Sequence, residues 1–156
     1  LLPRLVAFAR TLLGDAEAAG DLVQEAASRA LSARRVPEDP RAYRAWMFQI
    51  VRNAALDEIR RARVRAVEEP PPVDLWRFDQ ACIAKITVEQ GLSALPSSQR
   101  EIIALIDIAG FSYSEAAALL DVPVGTVMSR IARARNALLA AIEASSVRPW
   151  KSSHGT

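Results

Sequence analysis

FSYSEAAALLDVPVGTVMSRIARAR, residues 111–135, is the stretch on which the reading of this chain turns. Ser112 with Glu115 three residues on fits a capping box, opening a short helix that ends near Leu120. Asp121-Val122-Pro123 then makes a corner, and a longer helix runs from about Val124 to Ile142. Small Ala117 permits close helix approach, while Leu120, Val122, Val127 and Ile131 would pack the two helices together, a spacing that suits a helix-turn-helix. With Val127 and Ile131 turned inward, Thr126, Ser129, Arg130 and Arg133 stand outward on the second helix, where side chains could enter a major groove. Such groups hydrogen-bond bases and phosphates. A helical hairpin with a solvated basic face competes for the same residues. The run Pro-Val-Gly-Thr-Val followed by Ser-Arg and Arg-Ala-Arg favours the DNA-reading alternative.

Upstream of this unit, Ser98 with Glu101 predicts another capping box before Ile102, Ile103, Leu105, Ile106 and Ile108, with Gly110 closing that helix. The stretch from Cys82 to Leu95 also has helical spacing, although Gly91 weakens its end. Residues 81–144 therefore read as a four-helix unit and 145–156 as a frayed tail. Residues 67–80 hold Pro70-Pro71-Pro72, which cannot continue a helix and reads as a flexible linker. Before it, Leu5, Val6, Phe8, Ala9, Leu12 and Leu13 make one apolar face, with Gly14 placed to end a first helix. A second begins near Asp15 or Asp21 and continues to Leu31. Asp39-Pro40 reads as an N-cap and first helical position of a third, with Tyr43, Trp46, Met47, Ile50, Val51, Ala54 and Ile59 along one side. Residues 1–66 thus form a bundle of three, or at most four, helices. No strand-like alternation appears, so the fold class is all-α: two small helical domains joined by a proline-rich linker.

Composition narrows the chemistry. Of 156 residues, 51% are hydrophobic and 24% charged, a globular balance that excludes a disordered chain. No stretch approaches a bilayer span, and the start lacks the order of a secretion signal, so a soluble intracellular protein without membrane insertion is expected. Lone Cys82 and lone His154 leave no disulfide and no zinc ligand set, so neither a metal nor a cofactor is expected. The net charge of +2 is too small to mark a nucleic-acid binder, but its distribution is uneven. Residues 41–65 hold seven arginines against Asp57 and Glu58, whereas residues 15–25 hold Asp15, Glu17, Asp21 and Glu25 with no base. The eighteen arginines against two lysines suit bidentate phosphate or guanine contacts, although a GC-rich genome would produce the same bias.

Two further constellations follow from that asymmetry. On the cationic helix, Asn53 beside Arg52 could read the edge of an unstacked base; from its local sequence alone, a solvated asparagine is the simpler reading. The acidic run Asp21-Leu22-Val23-Gln24-Glu25 is either solvated decoration or a face for a basic protein partner.

These segments, in this order, resemble the extracytoplasmic-function (ECF, group IV) sigma factors of the sigma-70 family. Asp-Leu-Val-Gln-Glu, then Trp-Met-Phe with Arg-Asn and Asp57-x-x-Arg60, then Leu95-Pro96, Ser112-Tyr113-Ser114-Glu115 and Val-Gly-Thr-Val-x-Ser-Arg carry the match. The resemblance implies a non-catalytic, dissociable promoter-recognition subunit of core RNA polymerase, working in the bacterial cytoplasm. It implies that Asp21, Leu22, Gln24 and Glu25 dock on polymerase. Asn53 would capture a flipped base of the minus-ten element, with Arg52, Arg60 and Arg61 on the adjacent backbone. Thr126, Ser129, Arg130 and Arg133 would read the minus-thirty-five element. An anti-sigma protein is the expected regulator and the one route by which the chain would be held at the inner membrane face; no small-molecule substrate is expected. Two positions depart from the family. The turn usually has glycine where this chain has Asp121, tolerable because aspartate reaches the left-handed conformation more readily than most residues. Met128 stands where a basic residue is common, so one DNA contact is missing or the promoter sequence is unusual. The rival readings are a sigma-like module that binds an anti-sigma protein without DNA, and a stand-alone helix-turn-helix repressor. An enzyme is remoter, since no catalytic set emerges.

Overall fold

Short polar caps and apolar periodicity set the helix boundaries in the computed structural model, which describes residues 1–68 and 83–147. Helix α1 (Leu2–Leu13) buries Leu5, Phe8, Ala9 and Leu12. It stops where Gly14 turns left-handed at φ 74° and donates its N–H back to the Arg10 carbonyl. Asp15 immediately caps α2 (Ala16–Ser32), its carboxylate accepting from the Glu17 amide at 2.9 Å. Asp39 caps α3 (Pro40–Glu68) through the Ala42 amide at 3.0 Å. With 29 residues, α3 is roughly 43 Å long. It outruns the expected boundary at residue 66 because no breaker intervenes before Pro70, and Arg65 ties back to Glu58 about two turns below at 2.6 Å. The rest of the expected linker, residues 69–80, lies outside the described residues. All three helices surround Phe8, which meets Phe48 edge to face with ring centroids 5.3 Å apart.

The C-terminal unit comprises α4 (Ile83–Ala94), α5 (Ser97–Ile103), α6 (Tyr113–Leu120) and α7 (Val124–Val147). Among the described residues there is no strand. Gly91 does not loosen α4: a Cβ there would lie 3.0 Å from the Leu138 side chain and 3.2 Å from that of Ile142, so its bareness lets α4 and α7 approach. The expected Ser98–Glu101 capping box is absent. Helix α5 starts two residues earlier, after Pro96, without a side-chain cap, and Glu101 is buried and engaged by Arg52 of the other unit. Beyond Ile103 the helix widens into a π turn over Ala104–Ile108, closed by the Ala109 amide on the Ala104 carbonyl at 2.8 Å. The extra residue in that turn shifts the carbonyl of Ala109 and the ring of Phe111 onto the first unit.

The box at α6 is complete. The Glu115 amide donates to the Ser112 hydroxyl and the Ser112 amide to the Glu115 carboxylate, each at 3.1 Å. At the other end Asp121 sits at φ 55°, ψ 51°, and the Val122 amide reaches back to Ala117. Val127, Ile131 and Ala134 are buried beneath α7, and Leu120 and Val122 are partly buried against the same core. The expected helix-turn-helix is therefore in place.

The two units share a boundary on which helix-to-helix contacts alternate with open clefts, one of them between α1 and α4. Helix α1 lies against α5 and the π turn, and α3 against α6. The core runs across as Phe8, Phe48 and Phe111, with Phe48 and Phe111 edge to face at 4.9 Å.

Replacing Asp121 by Val, which tolerates the left-handed region poorly, should lower unfolding free energy by about 1–2 kcal/mol in urea titrations, whereas Asp121→Gly should not. Ser112→Ala should cost about 1 kcal/mol at neutral pH. Hydrogen bonds from the Ser112 amide and hydroxyl hold the Glu115 carboxyl below its usual range. A depressed carboxylate contributes above its ordinary pKa and loses that contribution as pH falls through the lowered one. The difference between wild type and Ser112→Ala should therefore shrink in acid; a difference independent of pH would contradict the assignment.

Candidate nucleic-acid interface

Two basic helices carry the candidate contacts, and they differ in availability. On α7, Ser129, Arg130 and Arg133 are exposed and Thr126 is half-buried. The Ser129 hydroxyl donates to the Thr126 carbonyl at 3.1 Å, bracing the first turn. Neither Arg130 nor Arg133 forms an ion pair within the described residues, so both guanidiniums stand ready for an external anion. Arg135, by contrast, is engaged: it grips Asp107 with two hydrogen bonds, at 2.7 and 3.2 Å. That grip, chiefly its hydrogen bonds to Asp107, raises the Arg135 pKa further above its ordinary value. It fastens the middle of α7 to the end of the π turn and leaves the N-terminal turns to project.

On α3 the expected contacts separate. Asn53 is exposed, its carbonyl oxygen accepting from Gln49 at 3.1 Å. Arg60 and Arg61 are exposed and only loosely paired, to Asp57 at 3.5 Å and Glu58 at 3.8 Å. Such exposed one-turn pairs are worth little and yield readily to a phosphate. Arg52 is different, because its guanidinium donates to Glu101 across the domain boundary with both side chains largely covered. In this arrangement Arg52 is a latch and not an open phosphate ligand. On α2, Asp21, Gln24 and Glu25 are exposed, with Glu25 paired to Arg29 at 2.8 Å. Leu22 is buried in the bundle, so it shapes the acidic face from beneath.

Sequence reading missed the residues that join the units. The Arg44 guanidinium lies 4.1 Å from the Phe111 ring centroid and 5.7 Å from that of Phe48, and donates to the Ala109 carbonyl. Arg10 meets Glu89 at 2.7 Å. A signal did exist: Arg44, Phe48 and Arg52 recur every four residues along one line of α3, a cation, ring and cation in series.

A helix-turn-helix with an exposed basic face, coupled to a second bundle that presents a long cationic helix, defines a two-headed helical protein of the DNA-binding class. Residues 1–65 match the family described as Sigma-70 region 2, and residues 86–138 the family described as Sigma-70, region 4. The ECF RNA polymerase sigma factor EcfG of Rhodopseudomonas palustris (strain TIE-1) is 38% identical over 144 residues, spanning 89% of this chain and 79% of that protein. The ECF RNA polymerase sigma factor SigC of Mycobacterium tuberculosis (strain CDC 1551 / Oshkosh) is 37% identical over 145 residues, spanning 90% and 76%. Among solved structures, the sigma factor RpoE in complex with the anti-sigma factor NepR from Bartonella quintana superposes with a TM-score of 0.69 at 30% identity, covering 91% of both chains. CnrH in complex with the cytosolic domain of CnrY gives a TM-score of 0.66 at 31% identity, covering 90% of this chain and 81% of that one. The chain belongs to the ECF RNA polymerase sigma factors, the subunits that direct polymerase to promoters.

If Arg52 and Glu101 form a latch, Arg52→Ala should strand a covered carboxylate and lower stability by roughly 2–4 kcal/mol, less than for a fully buried pair. Adding Glu101→Leu to Arg52→Met should recover most of that loss. A double-mutant cycle in urea with a coupling near zero would refute the latch.

Proposed function

We propose that this chain grips a promoter at two points, with α7 reading the minus-thirty-five element and α3 holding the opened minus-ten element. Residues 81–144 form the first head and 1–66 the second. The observation that supports this most directly is the outward face of α7: Thr126, Ser129, Arg130 and Arg133 over a buried Val127–Ile131 seam, with neither arginine in an ion pair among the described residues. Asn53 captures an unstacked base, Arg60 and Arg61 hold the neighbouring backbone, and the exposed Asp21, Gln24 and Glu25 dock on polymerase while Leu22 supports them. Opening DNA costs a few kcal/mol per unstacked step, which capture of the displaced base repays.

The packed arrangement bears on how the chain works. Elements centred ~25 base pairs apart lie roughly 85 Å apart along a duplex. Two heads whose rings touch at 4.9 Å cannot occupy both. The heads part before both elements are read, and parting releases Arg52 from Glu101 for the minus-ten backbone. An anti-sigma protein of the kind bound to the similar sigma factor from Bartonella quintana would act by keeping them from the promoter; the chain works in the cytoplasm and would be held at the inner membrane face through such a partner. No sigma-like loss of basic groups on α7 favours a module without DNA, since Arg130 and Arg133 remain exposed.

Run-off transcription with core polymerase tests the reading. Arg133→Ala should lose about 5- to 150-fold at promoters carrying the base it reads and little where that base is changed, whereas Arg60→Ala or Arg61→Ala should weaken all promoters alike. Asn53→Ala should leave the closed complex intact and reduce strand opening, read by permanganate footprinting. Equal damage to every promoter variant by Arg133→Ala would count against base readout.

A further inference from the structure

The first two turns of α7 carry two apolar side chains that the protein core does not use. Val124 is 41% exposed and Met128 52% exposed, while their neighbour Val127 is fully buried. Four residues apart, they lie one above the other and form a continuous apolar strip at the end of the helix that projects. Single exposed apolar residues are ordinary on a protein surface; a contiguous pair on the N-terminal turns of a reading helix is placed where base edges come closest. Between them, Gly125 has no atom within 4 Å of where a Cβ would stand, so the backbone of this turn is bare and open to close approach. Ser129 and Arg130 follow directly, and Arg133 lies a turn further on, all exposed. This cationic flank draws the surface to a polyanion and disfavours an apolar protein partner at the same place.

Within the major groove, the apolar group that a base presents is the thymine C5-methyl. Val124 is branched and stiff, suited to one fixed contact. Met128 is unbranched and adaptable, suited to following a methyl whose position varies with local twist. We infer that Val124 and Met128 form an apolar reading strip that selects thymine in the minus-thirty-five element by contact with its C5-methyl groups. The inference rests on the assignment of α7 to that element. It also gives Met128 a positive role: this chain discriminates at that position by van der Waals contact, where a basic side chain would seek a guanine or a phosphate.

The experiment uses the full chain with core polymerase on a promoter selected from a library randomised across the minus-thirty-five element. Each thymine of that element, on either strand, is then replaced singly by deoxyuridine, which removes the methyl and leaves every hydrogen-bonding group in place. Run-off transcription should fall about three- to fivefold at one or two positions and be unchanged elsewhere, the size expected for one buried methyl. Met128→Ala should abolish the thymine-over-uracil difference at one of these positions, and Val124→Ala at the other. Both substitutions are on exposed side chains, and the uracil scan of the unaltered protein stands without them. Equal transcription from every uracil template would overturn the inference while leaving the assignment of α7 intact, provided Arg133→Ala still alters promoter choice. Failure of the chain to initiate from any template would overturn that assignment and the inference together. Silent uracil templates combined with loss of binding of a captured anti-sigma protein by Met128→Ala would assign the strip to a protein partner and overturn it as well.

Discussion

Arg44 sits with its guanidinium on Phe111 and its donor on the Ala109 carbonyl, and the packing of the two units depends on that placement. A cation brought so far under cover is tolerable only if the ring faces and carbonyls around it replace lost water. Here the replacements come from both sides: Phe48 from its own helix, Phe111 and Ala109 from the π turn and the loop after it. Neither unit alone satisfies Arg44. The contact is thus conditional on closure, and so is the partnership of Arg52 with Glu101. Closure joins two half-finished surfaces, each setting polar groups beside the apolar core that runs between them.

That balance suits a protein with two heads. A wholly apolar boundary would fuse the units, and a wholly solvated one would leave them independent. Cations on rings and a partly covered ion pair give an interface that holds in the free chain and yields to competing anions, since each arginine exchanges one set of acceptors for another. The π turn is the local device that makes this possible. Without its additional residue, the carbonyl of Ala109 and the ring of Phe111 would rotate away from α3. The exposed basic face of α7 is braced within its own unit by Arg135 on Asp107.

Much of the local structure is legible in the sequence because its causes are local. Asp15, Asp39 and Ser112 each satisfy amides within three residues, Gly14 and Asp121 each take one left-handed step, and the buried stripe of Val127 and Ile131 follows from helical spacing. The outward set on α7 is the complement of that stripe and is legible for the same reason. What failed was non-local. Ser98 and Glu101 have the spacing of a cap, but Glu101 finds its partner 49 residues away and the cap never forms. Arg52 is read as a free phosphate ligand because its acceptor is in the other unit. Met47 and Val51 read as core, correctly, yet periodicity says only that a face is covered and not which part of the chain covers it. Gly91 reads as weakness because the space it leaves is filled by α7, distant in sequence.

The central claim is that the two heads are joined in the free chain and parted on a promoter. Spin labels at Glu38 and Ala140, both exposed and outside the reading faces, with Cys82 replaced by Ala, report the separation by pulsed dipolar spectroscopy. The account predicts one short distance distribution for the free chain, and a shift of several tens of ångströms to longer distance when core polymerase and promoter DNA are added, in line with elements roughly 85 Å apart. An unchanged distribution in a complex that transcribes, or a broad long distribution in the free chain, would contradict it.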